Sequence, residues 1–297
     1  MRPIITVVTP TYNRANRLRL LFESLKKQTE TDFIWMIIDD GSTDNTEDVI
    51  RAFKRESISF SIISKKKNNG GKHTALNVAI QEVETELFFI VDSDDVLTED
   101  AIETILNDWN RLKDDSLCGI SYLRGYDEKT VIGDLFPKDE ERDTFINMRF
   151  NRGIGGDKAE VWVTRCLKEF GGFPEFEGER FISESVLWIK VARKYQMIFR
   201  NKIIYITEYL SGGLSKTGRS LRFKCHEGMA YGSLETMTKE FSLRIRMKQA
   251  LLYVVYSKFG KHSFRQILNC PYPMLVFLGY LPGLLLYEYW KRKYVFS

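Results

Sequence analysis

The 297-residue chain has four cysteines, Cys118, Cys166, Cys225 and Cys270, and no two of them form a CxxC pair. This excludes the common zinc and dithiol redox motifs and favours a reducing, cytoplasmic compartment. No stretch reaches about eighteen uninterrupted apolar residues, so a simple membrane-spanning helix is not expected. The opening "MRPIITVVTPTYNR" carries a run of only six residues (Ile4–Thr9), too short for the core of a signal peptide. There is no internal repeat and no low-complexity tract. Acidic charge is scarce in the last part of the chain. From Arg219 to Ser297 thirteen Lys and Arg face four Glu and no Asp, a net +9, whereas the other 218 residues carry −5. In a chain with a globular composition, 43% hydrophobic and 28% charged, such asymmetry points to an anionic partner for the basic part, either nucleic acid or a membrane surface. Nucleic acid fits less well, because the basic residues are interleaved with long aliphatic and aromatic stretches.

The first hundred residues alternate strand and helix patterns. Strands are predicted over Ile4–Thr9, Phe33–Asp39, Ile58–Ile63 and Phe88–Val91. Helices are predicted over Asn16–Gln28, around Val49–Phe53, over Thr74–Val83 and from Glu99 to about Leu112, with Thr43 or Asp44 and then Thr98 placed to cap two of them. This rhythm gives an α/β fold with a parallel sheet and right-handed crossovers. Further strands are expected near Gly119–Arg124, Ala159–Val163 and Met197–Ile206, and a helix from Ser183 to about Tyr195. The Gly- and Ser-rich basic loop "YLSGGLSKTGRSLR" (Tyr209–Arg222) precedes a helical C-terminal part.

Each of the first four strands leads into a polar cluster: "PTYNR" (Pro10–Arg14), "DDGSTD" (Asp39–Asp44), "KKKNNGGKH" (Lys65–His73) and "DSDD" (Asp92–Asp95). One such cluster is ordinary turn chemistry. Four at the carboxyl ends of parallel strands define the edge where open α/β sheets bind ligands. Crowded carboxylates repel unless something positive joins them, and a metal-bound, phosphate-containing ligand accounts for both signs of charge.

"VVTPTYNR", "IIDDGSTDNT", "NNGGKHTALNVAI" and "FIVDSDD", in this order and spacing, resemble family 2 glycosyltransferases. The likeness returns around "GGFPEFEGERFISESVLW" and weakens beyond Ser220. It implies a GT-A fold, a Rossmann-like, mainly parallel sheet flanked by helices, with a helical C-terminal appendage. The implied division is a catalytic domain over 1–218, with nucleotide-binding (1–112) and acceptor-binding (113–218) halves, followed by a basic region over 219–297. The implied activity is metal-dependent inverting transfer of a sugar from a nucleotide-sugar donor, UDP-linked by preference, to a glycan or lipid-linked acceptor in surface polysaccharide synthesis.

The same resemblance assigns roles. Asp92 and Asp94 form the DxD pair that holds Mn²⁺ or Mg²⁺ against the diphosphate, as hard cations require oxygen ligands. Their plainer reading is helix capping, which Thr98, Glu99 and Asp100 already serve. Asp95 supports the pair or meets sugar hydroxyls. Pro10, Thr11, Tyr12 and Ser93 border the nucleotide, Asp40 (rather than Asp39) accepts from the base, and Lys72 faces phosphate. Lys65–Lys67 read as a solvated run. Trp162, Trp188 and Phe173 are assigned to core before acceptor pocket.

Two departures from the family stand out. Relatives carry Glu-Asp at the start of a helix where this chain has "SES", so Ser185 replaces the usual base and the role passes to Glu184 or another group. Alternatively, Ser183 caps the helix and Glu184 merely suits its dipole. The loop "ITEYLSGGLSK" lacks the metal-binding His of many relatives, and His226 reads as an ordinary histidine. Lys216 and Arg219 are placed to close over the diphosphate, with Gly212–Gly213 as hinge. A binding protein that has lost catalysis is the alternative these departures raise. A sugar-1-phosphate nucleotidylyltransferase fits less well, because "PTYNR" has no glycine. In the C-terminal part, "MLVFLGYLPGLLLY" (Met274–Tyr287) followed by "KRK" (Lys291–Lys293) predicts attachment to the inner face of a membrane without crossing it. The plainer reading there is packing against protein.

Overall fold

The computed structural model describes residues 3–207 and 220–294. The chain forms two compact units. The first comprises Met1–Phe145, Ile154–Gly172 and Lys194–Glu208, and the second Ile146–Gly153, Phe173–Arg193 and Tyr209–Ser297. The expected boundary between 218 and 219 falls outside the described residues, and the two units interleave along the chain rather than following one another.

The first unit is built on a nine-stranded sheet. Its first half runs β1 (Ile5–Thr11), α1 (Ala15–Lys26), β2 (Phe33–Asp39), α2 (Thr46–Phe53), β3 (Ser61–Lys66), α3 (Lys72–Glu82) and β4 (Leu87–Ile90). After the short β5 (Val96–Leu97) come α4 (Ala101–Leu112), β6 (Leu117–Gly125), β7 (Glu141–Asp143), β8 (Lys158–Val163), α5 (Thr164–Glu169) and β9 (Gln196–Ile206). The strand order is β3-β2-β1-β4-β8-β6-β9-β5, with β7 pairing β9. β1 lies parallel to both β2 and β4, and β2 parallel to β3. Successive strands step outward from β1 to β3, and the chain then crosses to β4 on the other side of β1. The switch point, where such sheets open a crevice, is therefore at the carboxyl ends of β1 and β4.

The periodicity explains these elements. Leu18, Leu21, Phe22 and Leu25 make the buried stripe of α1, and Val49, Ile50 and Phe53 that of α2. The rings of Phe22 and Phe53 stack at 4.0 Å, and Trp35 of β2 lies 5.8 Å and 5.7 Å from them. Trp35 is fully buried and donates its indole N–H to Thr9 Oγ1 at 3.0 Å. Burial of each such large side chain is worth roughly 1.5–3 kcal/mol. Trp162, Trp188 and Phe173 are buried as well, in keeping with their assignment to core.

β3 is displaced from its predicted span of Ile58–Ile63. Its register with β2, Ile34 opposite Ser61 through Asp39 opposite Lys66, carries the strand three residues further toward its carboxyl end. Hydrophobicity favoured the earlier segment, but strand pairing set the frame. As the edge strand, β3 tolerates exposed lysines, which also discourage pairing with other sheets. Thr98 does not cap α4. Asp100 occupies that position without a side-chain capping bond, and Thr98 Oγ1 instead donates to Asp100 Oδ1.

The second unit contains a π-helical turn (Asn147–Asn151), α6 (Ser185–Ala192), α7 (His226–Glu235), α8 (Leu243–Phe259), α9 (Phe264–Leu268) and α10 (Pro273–Tyr294). Residues 173–193 belong here for identifiable reasons. The Glu179 carboxylate accepts the backbone N–H groups of Glu227 and Gly228 at the start of α7, both at 2.8 Å. Arg193 Nη1 lies 2.6 Å from Glu235 Oε2 at the end of that helix. α8 and α10 pack closely because Gly279 and Gly283 present no side chain. A Cβ added at Gly283 would lie 2.8 Å from Val254 Cβ and 3.0 Å from the Leu251 carbonyl oxygen. Gly283→Leu is therefore expected to cost about 1–3 kcal/mol through overpacking, seen as a lower urea midpoint. An unchanged midpoint would mean the two helices separate freely. No described helix is long and apolar enough to cross a membrane.

Candidate functional site

The four polar clusters meet along the carboxyl edge of the first unit's parallel strands, and hydrogen bonds link each to the next. Asn13, following β1, adopts a positive φ of 52°, which Asn tolerates better than most residues. Its backbone N–H donates to Ser42 Oγ at 2.9 Å, and its side-chain oxygen accepts the Thr43 N–H at 2.8 Å. The loop after β1 is thereby stitched to the loop after β2.

Asp40 ties the loop after β2 to the loop after β3. Its Oδ1 accepts from Lys67 Nζ at 2.8 Å and the Gly70 N–H at 2.9 Å. Its Oδ2 accepts from Asn69 Nδ2 at 3.1 Å and the Gly71 N–H at 2.7 Å. A carboxylate offers about four lone-pair sites, so Asp40 is fully engaged in shaping this loop and in this conformation has none left for a base. Gly41 is required at the turn, where a Cβ would come within 2.8 Å of the Asn69 nitrogen. Asp39, its neighbour, is also buried. One of its oxygens accepts the Ser42 N–H at 2.8 Å, and the other has no partner.

Lys67 is not part of a solvated run. Its ammonium also donates to Thr74 Oγ1 at 2.7 Å and to the Asn68 carbonyl at 2.6 Å, because it follows the end of β3 and turns inward toward Asp40. Lys65 and Lys66 do remain at the surface, paired with Glu82 and Glu47.

The "DSDD" carboxylates find their cations. Lys72, at the start of α3, places Nζ 2.5 Å from Asp92 Oδ1. Arg124 of β6, largely buried, places Nη1 3.8 Å from Asp92 Oδ2 and 3.6 Å from Asp95 Oδ2. Arg14 Nε lies 4.0 Å from Asp94 Oδ2. Arg124 is itself held by its Nε–H bond to the Lys158 carbonyl at 2.8 Å and by the Tyr205 ring 3.9 Å beneath its guanidinium. Tyr205 OH donates to Asp95 Oδ2 at 2.8 Å and accepts the Asp92 N–H at 2.9 Å.

These partners sort the three aspartates. Burial pushes the Asp92 carboxyl up, but the charges of Lys72 and Arg124 outweigh it and hold Asp92 below the usual carboxylate range. Burial, and then the adjacent Asp92 charge, push Asp95 up to about 7, with Arg124 and Tyr205 opposing. Asp94 stays half-exposed and is only loosely paired. Asp95 shares Arg124 with the Asp92 carboxylate and Tyr205 with the Asp92 backbone. Among the described residues no group of three or more His, Cys, Asp or Glu gathers to hold a metal ion. Asp92 and Asp94 supply the hard oxygen donors that Mn²⁺ or Mg²⁺ accepts, and a diphosphate would contribute the remaining ones.

Pro10 and Thr11 are buried within β1, Ser93 is buried beside the carboxylates, and Tyr12 is exposed, its ring open to a stacking partner. Glu184 belongs to the second unit. It directly precedes α6, its carbonyl accepting the N–H groups of Leu187 and Trp188, while Ser183 and Ser185 share a hydroxyl–hydroxyl bond of 2.7 Å. Glu184, not Ser183, occupies the N-cap position of α6, and its side chain makes no capping bond. Lys216, Arg219 and Gly212–Gly213 lie outside the described residues. Sequence reasoning missed Arg124, Tyr205 and Asn13. The first two are direct cross-strand neighbours in the β6–β9 pairing, which only the assembled sheet reveals.

The family model described as Glycosyl transferase family 2 matches residues 6–160. Glycosyltransferase GlyG of Streptococcus pneumoniae serotype 4 is 30% identical over 230 residues, covering 73% of this chain and 74% of that protein. The poly(ribitol-phosphate) beta-N-acetylglucosaminyltransferase TarS of Staphylococcus aureus is 27% identical over 166 residues, 55% of this chain and 28% of TarS. Among solved structures, S. aureus TarS 1–349 in complex with UDP-GlcNAc superposes with a TM-score of 0.65 at 18% identity, covering 95% of this chain and 80% of that one. The mannosyltransferase PcManGT from Pyrobaculum calidifontis, in complex with GDP-Man and Mn²⁺, gives 0.59 at 17% identity, covering 98% and 88%. At these identities the structural likeness concerns the fold.

Proposed function

Since the chain belongs to glycosyl transferase family 2 and is a glycosyltransferase of GT-A fold, we propose that it moves a sugar from a UDP-linked donor to a hydroxyl of a glycan or lipid-linked acceptor in surface polysaccharide synthesis, with inversion and with a divalent cation. The observation that carries this reading is the Asp92–Asp95 cluster at the β1/β4 switch point, flanked by Lys72 and Arg124. The polysaccharide class is supported by similarity to TarS and to the chondroitin synthase of Pasteurella multocida, 36% identical over 115 residues.

In this reading Asp92 and Asp94 hold the cation. When bound, it neutralises the diphosphate and stabilises its departure. Lys72 exchanges its ion pair with Asp92 for a phosphate oxygen, so the positive charge that stabilises the empty carboxylate is reused on the donor. Tyr12 borders the base. Asp40 shapes the 67–71 loop and reaches the base only if one of its four donors gives way. Arg124 and Tyr205 hold Asp95 and the Asp92 backbone in place. Glu184 takes the proton of the acceptor hydroxyl as its oxygen attacks the anomeric carbon, replacing the aspartate that Ser185 displaces.

Thermal-shift measurement with nucleotide sugars tests the reading, since a ligand that binds only the folded state raises its melting temperature. UDP-sugars with Mn²⁺ are expected to raise it by several degrees. Ligand at one hundred times Kd contributes ~2.7 kcal/mol, and for a chain of this size each kcal/mol is worth about 2–4 °C. EDTA should remove most of the shift. If neither UDP nor GDP sugars shift the melting temperature with Mn²⁺ present, the proposed donor site is wrong.

A further inference from the structure

Helix α10 has two unlike faces. Val276, Gly279 and Gly283 are buried against the cluster formed by Ala250, Val254 and their neighbours. On the opposite side Met274, Phe277, Leu278, Leu281 and Leu285 are 80%, 62%, 61%, 71% and 75% exposed. Their spacing of three and four residues places them in one stripe, about 16 Å long at ~1.5 Å per residue. Phe264, its ring edge-on to Tyr280 at 4.7 Å and itself exposed, widens the patch. A contiguous apolar surface of this kind marks a site of interaction.

We propose that this face of α10 lies in the plane of an anionic lipid surface, with the C-terminal turns of the helix at the headgroups. Charge selects lipid over protein as the partner. Exposed Lys261 and Arg265 precede the stripe, exposed Arg292 and Lys293 follow it, and Glu288 is the only acidic residue from 261 to 294. Arg292 stands seven residues after Leu285, so the stripe itself ends in a cation. Tyr289, half-exposed, sits at that junction of apolar and basic surface, where amphipathic rings prefer the headgroup region. Interfaces between proteins place fewer lysines around their apolar centres, whereas basic residues beside an apolar helix face are what anionic lipid attracts. Since no described helix is long and apolar enough to cross, the helix lies on the surface. Attachment of this kind would confine the enzyme to the plane in which a lipid-linked acceptor diffuses, but the proposal stands on the helix alone and not on the donor chemistry.

Flotation of the full chain with vesicles tests it. Most of the protein is expected to float with phosphatidylglycerol-rich vesicles at low salt, and much less with pure phosphatidylcholine. The double variant Leu281→Asp, Leu285→Asp should stay at the bottom of the gradient with an unchanged melting temperature and an unchanged response to nucleotide, because both side chains are already in water. Arg292→Glu with Lys293→Glu should lose preference for the anionic vesicles. Wild-type protein that stays at the bottom with anionic vesicles overturns the proposal, as does a Leu281→Asp, Leu285→Asp variant that floats normally. A wild-type dimer that this variant splits, without vesicle binding by either, also overturns it and assigns the face to a second copy of the chain. Nucleotide-dependent melting is read separately, so failure here leaves the donor site untouched.

Discussion

Asp94→Ala should abolish the metal-dependent part of UDP binding. With Mn²⁺ present, the variant's affinity is expected to fall at least ~100-fold, to the level of wild-type protein in EDTA. Loss of a residue that only orients a metal ligand already costs about 10–100-fold, and Asp94 is proposed as a ligand itself. The substitution is clean for a structural reason. Asp94 is half-exposed and its one ion pair, to Arg14, is 4.0 Å long, a contact worth ~0–1 kcal/mol. Its neighbours offer no such control. Removing Asp92 takes one carboxylate from both Lys72 and Arg124, and removing Asp95 takes the acceptor of the buried Tyr205 hydroxyl. Calorimetry with and without EDTA decides the matter. Equal UDP affinity in both conditions would remove the metal from the proposal, and unchanged metal-dependent affinity in Asp94→Ala would remove Asp94.

Glu184→Gln is expected to lower kcat by ~100-fold or more, the usual scale for a general base, while leaving donor affinity near that of the wild type. The amide keeps the size and polarity of the side chain but cannot take a proton. The competing structural role, a favourable charge at the start of α6, is worth only about 0.3–1 kcal/mol. That role predicts a slightly lower melting temperature and an unchanged kcat. Steady-state kinetics beside thermal melting separates the two, and a near-wild-type kcat in Glu184→Gln would exclude this residue from proton transfer. The serines on either side, bonded to each other, cannot act as a carboxylate base in its place.

Much of the sheet was legible in the sequence because its signals are local. The apolar runs of β1, β2 and β4, the stripes of α1 and α2, and the turn residues after each strand all lie within a few positions of what they specify. So does the meeting of four polar clusters on one edge, which follows once the strands are parallel. What stayed hidden was set across the fold. Arg124 reads as the polar end of an apolar strand, and Tyr205 as one aromatic among fourteen tyrosines. Only the register of β6 on β9 sets them side by side. The run Lys65–Lys67 misled for a related reason. Three adjacent lysines look equivalent in sequence, yet strand pairing holds the first two at the sheet edge and leaves the third to turn toward Asp40. Asp40 is singled out by its place after β2, but its four donors come from a loop whose course no local pattern specifies.

The bond from Glu179 to the start of α7 also bears on how the chain acquires its structure. It joins residues 48 and 49 positions apart, so α6 and the residues before it cannot complete their packing until α7 has been synthesised. Closing so long a loop costs entropy before any contact is gained, and contacts of large sequence separation slow folding. During synthesis at about 5–20 residues per second, the segment around Trp188 waits several seconds with its apolar side chains uncovered. In the sheet-bearing unit β1 and β2 pair soon after they emerge, but β1 meets β4 only once Leu87, opposite Ile5, has been made. Assembly is thus staggered, and in the interval before α7 emerges these apolar side chains expose the nascent chain to aggregation.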